Sequence, residues 1–576
     1  MALSEPAGQG RATPHSLSPA LLTRGLDAAS ATHRRACLLL VLVALVAFLP
    51  GFFSVPPIDR DEARFSQATK QMLETGNFVD IRYKDVARHK KPVGIYWLQS
   101  LSVAAAEAVV GPSARTTIAF YRIPSLLAAI GAVLLTYALA LSFVSRRGAV
   151  MAGLMMASCV LLGVEARLAK TDAVLLFTTL VSMVALARAY FRPPPYVPDL
   201  RLAAMFWTAL AAGILVKGPL APLFVGLPIL VLAILDRSGG FLRVLKPLAG
   251  LAWCLLLCLP WFIAIYVVTN GAFYEHAVGV DMLGKVAEGA EGHWGPPGTY
   301  LLAIWGTFWP AVVLVAMAVP FAWARRRERP VRFLLALVVP SWIVFEAAVT
   351  KLPHYVLPLY PGLAVLAALA LERGAIANVG KRLGDLRGIW PILGTLIVAV
   401  MGFGFFWFGG GWAYGLAALP VLALALTALW QSAFTFRRGA EAAFLTAVVG
   451  AVLLYAGVYQ FLLPQMRAVW ISERLAGIAR EAGCPAAGVA TVPYQEPSLA
   501  FLIGTDLQFT DPVQAADLLK QGGCMAFVGA NMVPLFEQRA KEIGLRYRLA
   551  TSVPGFTYNG GRNVVISVFR PEGSGQ

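Results

Sequence analysis

The chain has 576 residues, of which 58% are apolar and 14% charged, and a formal net charge of +17. The apolar residues gather into runs of about twenty, the length of helix that crosses hydrocarbon, which excludes a soluble globular protein. The positive charges sit in short loops between those runs, where the orienting bias of membrane proteins puts them, so nucleic-acid binding is excluded too.

Residues 1–35 are rich in Ser, Ala and Pro and end His33-Arg34-Arg35. The apolar run that follows lacks a small-residue cleavage site, so residues 1–35 read as a cytoplasmic N-terminal segment before a retained first span. Thirteen spans are expected, at 36–53, 118–144, 148–163, 172–191, 202–216, 218–235, 246–268, 300–323, 331–349, 356–372, 388–408, 412–430 and 441–463. Residues 93–110 are the ambiguous stretch. Leaving them uncrossed puts Arg146-Arg147, Arg188 to Arg201, "RRRERPVR" (325–332) and Arg437-Arg438 all on the cytoplasmic side, and that asymmetry decides for thirteen crossings. On a helix over 93–110, Gln99, Ser102 and Glu107 would share one side opposite Ile95, Leu98 and Leu101, as in a helix lying at the interface. Residues 54–117 then form a long extracytoplasmic loop.

Residues 465–576 differ in kind. "GVATVPY" (488–494), "LQFT" (507–510), "CMAFVGA" (524–530) and "NVVISVFR" (563–570) read as short strands, with helix-like stretches between the first three. A small extracytoplasmic α/β domain is therefore expected after a transmembrane domain at 36–464. Cys484 and Cys524 each precede one of its strands, and a bridge or two buried thiols are both open to them.

Charged groups gather at span mouths on the side of the long loop. "IDRDEARFSQ" (58–67) opens that loop. "VEARLAKTDAVLL" (164–176) brings Glu165, Arg167, Lys170 and Asp172. Lys217 stands alone in "LVKGPLAPL", and Lys351 in "VTKLPHYVLP". Charges at such depth are usually functional. Cations together with carboxylates suit a reaction on an anionic lipid headgroup: the cations for phosphate, a carboxylate for a proton. A transporter or lipid flippase also needs polar groups in an apolar bundle, but it places them near the midplane on broken helices in related halves, and no internal repeat is visible here.

In order and spacing, "DEARFSQATKQMLETGNFV", "HKKPVGIYWLQ", "YRIPSLLAA", "EARLAKTDAVLLF", "KGPLAPL" and "KLPHYVLPLYPGLAVLAALAL" resemble the bacterial aminoarabinose transferase and protein O-mannosyltransferase superfamily of polyprenyl-phosphate-sugar-dependent glycosyltransferases. The resemblance implies the type C glycosyltransferase fold: an all-α polytopic membrane protein of about thirteen transmembrane helices, here followed by the small α/β domain. It implies transfer of a sugar from an undecaprenyl or other polyprenyl phosphate to lipid A, another glycolipid or a protein, on the periplasmic face of a bacterial inner membrane. An oligosaccharide ligase is the nearest rival among transferases.

By position, the resemblance assigns Asp61 the role of catalytic carboxylate with Glu62 beside it, and gives Arg64, Lys91 and Lys217 to the lipid-linked phosphate. Asp172 takes the place of the second loop's acidic residue, and Lys351, His354 and Tyr355 are possible headgroup or acceptor contacts. Two positions depart from the pattern: Lys90 stands where aminoarabinose transferases have a metal-holding acid, and Phe65 where they have a tyrosine. No metal is therefore expected, and Lys90 is expected to join Lys91 on the phosphate. If a metal bound, its ligands would come from Asp61, Asp172, His276 and His293. The glycine-rich stretch 269–299 reads as a lid over the acceptor cleft or as a connector.

Overall fold

The computed structural model describes residues 19–277, 279 and 294–572. All thirteen expected spans coincide with helix. Among the described residues, nine helices are long and apolar enough to cross a membrane: Ile118–Ala140, Asp172–Tyr190, Leu200–Lys217, Pro247–Thr269, Arg329–Ala347, Pro353–Glu372, Lys381–Trp407, Trp412–Arg438 and Ala440–Gln465. The other four segments are shorter or broken. His33–Phe48 and Leu220–Leu235 have 16 residues each. The run at 148–163 divides into Arg146–Ala157 and Val160–Glu165, and the run at 300–323 into Thr299–Thr307 and Val312–Ala324.

These two breaks lie against each other. Cys159 accepts from the Leu162 amide at 3.5 Å and donates to the Thr307 carbonyl at 3.3 Å. The Val160 amide donates to the Trp309 carbonyl at 3.3 Å. A broken helix in an apolar bundle leaves backbone groups that water cannot reach, and here each break supplies partners to the other.

Residues 94–110 form one helix. Its Gln99 is buried and accepts from Thr69 at 2.7 Å, Ser102 donates to the Phe120 carbonyl at 2.7 Å, and Glu107 pairs with Arg115 at 2.9 Å. Leu98 and Leu101 are exposed on the other side, as the interfacial reading requires, but Ile95 is fully buried. Of the stretch 269–299 expected as a lid, residues 278 and 280–293 lie outside the described residues.

The first loop holds a short antiparallel pair, β1 (Arg82–Tyr83) and β2 (Val86–Ala87). After the last long helix, a five-stranded sheet is built from β3 (Val489–Val492), β4 (Gln508–Phe509), β5 (Met525–Gly529), β6 (Tyr547–Thr557) and β7 (Arg562–Pro571), in the order β4-β3-β5-β7-β6. β3 runs parallel to β4 and β5, β7 is antiparallel to β5, and β6–β7 is a hairpin bulged at Leu549/Thr551. The four expected strands are present. β6 was not expected, because its sequence holds Pro554 and is mostly exposed; as an edge strand it tolerates both. Cys484 and Cys524 form a disulfide that ties the start of β5 to the turn before β3.

Two arginines fasten the end of the first span and the start of the long first loop to the bundle. Arg167 donates to the carbonyls of Pro50 (2.7 Å), Gly163 and Ala47, and its guanidinium stacks on Tyr459 at 4.1 Å. Arg122, in the Ile118–Ala140 helix and fully buried, donates to the carbonyls of Phe52 (3.0 Å), Val55 (2.8 Å) and Pro56 (3.1 Å).

Candidate active site

The segment "IDRDE" turns sharply into a helix that runs Asp61–Thr75. Arg60, at its start, has φ 74°, a conformation costly for a residue with a Cβ. Asp61 is the first helical residue, where the helix dipole favours an anion, and its side chain is exposed. Glu62 points the other way, into the protein. It takes two bonds from Arg122, at 2.8 and 2.9 Å, and one each from the amides of Ala169 and Ile58, both at 2.9 Å. A carboxylate has about four acceptor sites, and all four are filled. The expected catalytic neighbour of Asp61 is thus engaged as a brace between the first loop, the Ile118–Ala140 helix and the second loop.

The second loop supplies the centre of the site. Lys170 pairs with Glu165 at 3.0 Å and with Asp172 at 3.7 Å. Lys217, at the last residue of its helix, bonds Asp172 from the other side. His354 sits between the two carboxylates, with Nδ1 3.9 Å from Glu165 and Nε2 3.7 Å from Asp172. The Lys217 ammonium lies 5.6 Å from the centre of the Tyr355 ring. Lys91 is within electrostatic reach of His354, and Asp61 of Lys170.

Burial sorts these groups. The carboxylates of Glu165 and Asp172 are 2% and 4% exposed, whereas Lys170 and His354 are 11% and 12% exposed. An incoming ligand therefore meets an ammonium and an imidazole, with the acids underneath. Burial raises the Glu165 carboxyl above the usual carboxylate range, with Lys170 opposing and Asp172 adding to the rise. Burial disfavours the Lys170 charge, but Glu165, Asp172 and Asp61 outweigh it and hold the ammonium above its ordinary range.

The loop carrying Lys90 and Lys91 is pinned just before them. His89 meets Asp80 at 3.0 Å, and the Arg88 guanidinium stacks on Phe65 at 4.9 Å. Phe65, the aromatic departure, thus serves as a platform for that loop. Lys90 is exposed, and Arg64 and Lys91 are half-buried.

Lys351 stands apart from the expected headgroup contacts. Its ammonium donates to the carbonyls of Phe345 (2.8 Å), Glu346 (2.7 Å) and Ala348 (2.5 Å), closing the C-terminus of the Arg329–Ala347 helix. All three donors are used, so the group is a helix cap.

Among the described residues, those grouped so as to hold a divalent ion are Glu165, Asp172 and His354, whose ligand atoms lie within 4.8 Å of one another. They differ from the expected set: Asp61 lies outside the cluster, His276 is exposed, and His293 is outside the described residues. Both carboxylates of the cluster are already held by ammonium groups. Each ammonium would oppose a divalent ion by several kcal/mol at such range in a moderate dielectric, so the cluster does not suit one as it stands. Glu165, Lys170 and Arg122 are the groups missed in assigning the site from sequence. All three were visible as charges beside or within apolar runs, but their pairings cross long stretches of chain.

The family model described as dolichyl-phosphate-mannose-protein mannosyltransferase matches residues 62–274. The undecaprenyl phosphate-alpha-4-amino-4-deoxy-L-arabinose arabinosyl transferase of Pectobacterium carotovorum is 29% identical over 344 residues, 58% of this chain and 58% of that protein. The protein of the same name from Yersinia pestis (strain Pestoides F) is 28% identical over 352 residues, 60% of this chain and 61% of that one. The match thus spans about three-fifths of the length of these relatives. The crystal structure of ArnT from Cupriavidus metallidurans bound to undecaprenyl phosphate superposes with a TM-score of 0.72 at 19% identity, over 92% of this chain and 97% of that one. Its apo form superposes with a TM-score of 0.70. The fold is therefore that of ArnT, and the chain is a multi-pass membrane protein similar in sequence to the aminoarabinose transferases and, over residues 62–274, to the protein mannosyltransferase family.

Proposed function

We propose that the protein is a membrane glycosyltransferase that moves a sugar from a polyprenyl phosphate to an envelope acceptor, lipid A or another glycolipid, at the periplasmic face of the inner membrane. The observation that carries this reading is the gathering of Lys170, Lys217, His354 and two acids from three distant stretches of a mainly apolar chain, beside the loops that present Asp61 and Lys91. The bound undecaprenyl phosphate of the Cupriavidus protein supports the same donor class here. The chain divides into a cytoplasmic segment (1–35), a transmembrane catalytic domain (36–464) and a periplasmic α/β domain (465–576).

The chemistry is one displacement at an anomeric carbon. The C–O bond to the lipid phosphate breaks as the acceptor oxygen attacks from the opposite face, and the phosphate leaves with the electron pair. Lys91, Arg64 and Lys217, with Lys90 nearby, stabilise the charge that develops on the leaving phosphate; in a partly dry site each contact is strengthened. Asp61, exposed at a helix start, orients the acceptor and takes its proton when the acceptor is a hydroxyl. Mass spectrometry of envelope lipids from cells with and without the gene tests the reading. A sugar-sized mass lost with the gene, and restored by wild type but not by Asp61→Asn, is expected; identical lipid profiles would refute it.

A further inference from the structure

The α/β unit reaches across to the segment that bears Asp61. Asp59, two residues before it, is gripped at both its main chain and its side chain. Its amide donates to the Tyr558 hydroxyl at 2.6 Å, and its carboxyl Oδ1 accepts from the Ser498 amide at 2.9 Å. Ser498 is fixed in turn: it is buried, and its hydroxyl donates to Ser472 at 2.6 Å. Tyr558 lies in the turn of the β6–β7 hairpin. The grip comes from two elements of the sheet unit, and both act on one residue.

The same segment is held from the bundle side by Glu62, whose carboxylate accepts from the Ile58 amide and from Arg122. Residues 58–62 are thus clasped between two bodies, with Arg60 in its costly conformation at the centre and Arg60 and Asp61 both exposed. A strained turn persists only where its surroundings over-determine it. The bonds of Tyr558 and Ser498 run to Asp59 and to Ser472, so they serve placement.

We infer that Asp59, held by Tyr558 and Ser498, is a positioning residue through which the C-terminal α/β unit sets the orientation of Asp61. The inference rests on the proposed transferase reading for its effect on turnover, but the grip itself can be measured without any substrate. A catalytic group displaced by about an ångström can lose up to a hundredfold in rate, so loosening the clasp is expected to lower turnover by roughly tenfold to a hundredfold.

Three variants and two readouts decide it. Asp59→Ala removes the side-chain bond and Tyr558→Phe the main-chain bond, while Asp59→Asn keeps an oxygen for the Ser498 amide. In the full chain in nanodiscs, hydrogen–deuterium exchange over residues 55–64 is expected to quicken in Asp59→Ala and Tyr558→Phe and to stay near wild type in Asp59→Asn. Exchange in the Ile118–Ala140 helix and in β3 and β5 is expected to stay unchanged. In cells, sugar transfer to envelope lipid is expected to fall in the first two and to hold in the third. Unchanged exchange at 55–64 in both loosened variants overturns the clasp, whatever the enzyme's substrates. Quickened exchange with wild-type transfer overturns the positioning role. Failure of the transferase reading would show separately, as no transfer by the wild type.

Discussion

Glu62 and Arg122, sixty residues apart, face each other as a two-pronged pair at 2.8 and 2.9 Å with neither side chain in contact with solvent. Breaking such a pair leaves one uncompensated buried charge, which costs about 3–5 kcal/mol. Glu62→Gln and Arg122→Met are each expected to lower stability by that order, read as a large fall in the detergent melting temperature. Arg122→Met is expected to be the worse of the two, since three loop carbonyls lose their donor as well. A melting temperature within a degree or two of wild type in both would show that the loop is held elsewhere.

Asp61 is exposed and Lys91 half-buried, so neither Asp61→Asn nor Lys91→Ala is expected to disturb insertion or melting. Both are expected to abolish transfer, because the proposed chemistry puts one on the acceptor and the other on the leaving phosphate. Substantial turnover in either would remove that residue from its proposed role.

Orientation is open to direct labelling. A cysteine at 112, just past the Gly94–Val110 helix, is expected to react with a membrane-impermeant thiol reagent from outside, as is one at 409–411; one at 325–329 is not. Reaction at 112 from the cytoplasm alone would mean that 94–110 crosses.

Asp59 sets a pH dependence. Burial and the nearby Glu496 raise its carboxyl from 3.8 to about 7, against the bonds from Ser498 and Tyr558; Tyr494 and Tyr83 also face it. Between those two values the folded protein keeps a proton that the unfolded chain has lost. Its contribution is therefore complete below pH 3.8, declines as the pH climbs towards 7, and is gone above that. Asp59→Asn, neutral throughout, is expected to flatten the fall of melting temperature across this window. An unchanged slope would assign the titration to another group.

Chelation is expected to leave transfer intact. Lys170 and Lys217 already balance the two buried carboxylates, and Lys90 stands where the family resemblance implies a metal-holding acid. Activity lost to a chelator and restored by a divalent ion would mean that an ion displaces Lys170 from Glu165, and would make His354 its third ligand.

The two adjacent acids, Asp61 and Glu62, show what a sequence reveals and what it hides. Both stood out as charges beside a span. Successive helical residues point about 100° apart, so one faces the site while the other enters the core, and only the packed partner Arg122 decides which. Asp172 and Lys217 were legible for the same reason, each a charge bounding an apolar run, yet their contact across 45 residues was not. Lys351 carried the same signal and proved to be a cap, because a lone cation at a helix end satisfies carbonyls as readily as it binds a ligand. The helical runs themselves were readable because crossing hydrocarbon demands their length. Their breaks at Ser158 and Trp309 were not, since two apolar runs stay equally apolar whether whole or broken.

The partners of Asp59 lie 439 and 499 residues further along the chain. Translation reaches Ser498 and Tyr558 long after the first spans have entered the bilayer, so the clasp on the Asp61 segment closes only when synthesis is nearly finished. A chain stopped short of the final hairpin would insert and keep its bundle yet lack the grip on residue 59. The order of biosynthesis thus withholds the finished geometry at Asp61 until the last strands have been made and folded.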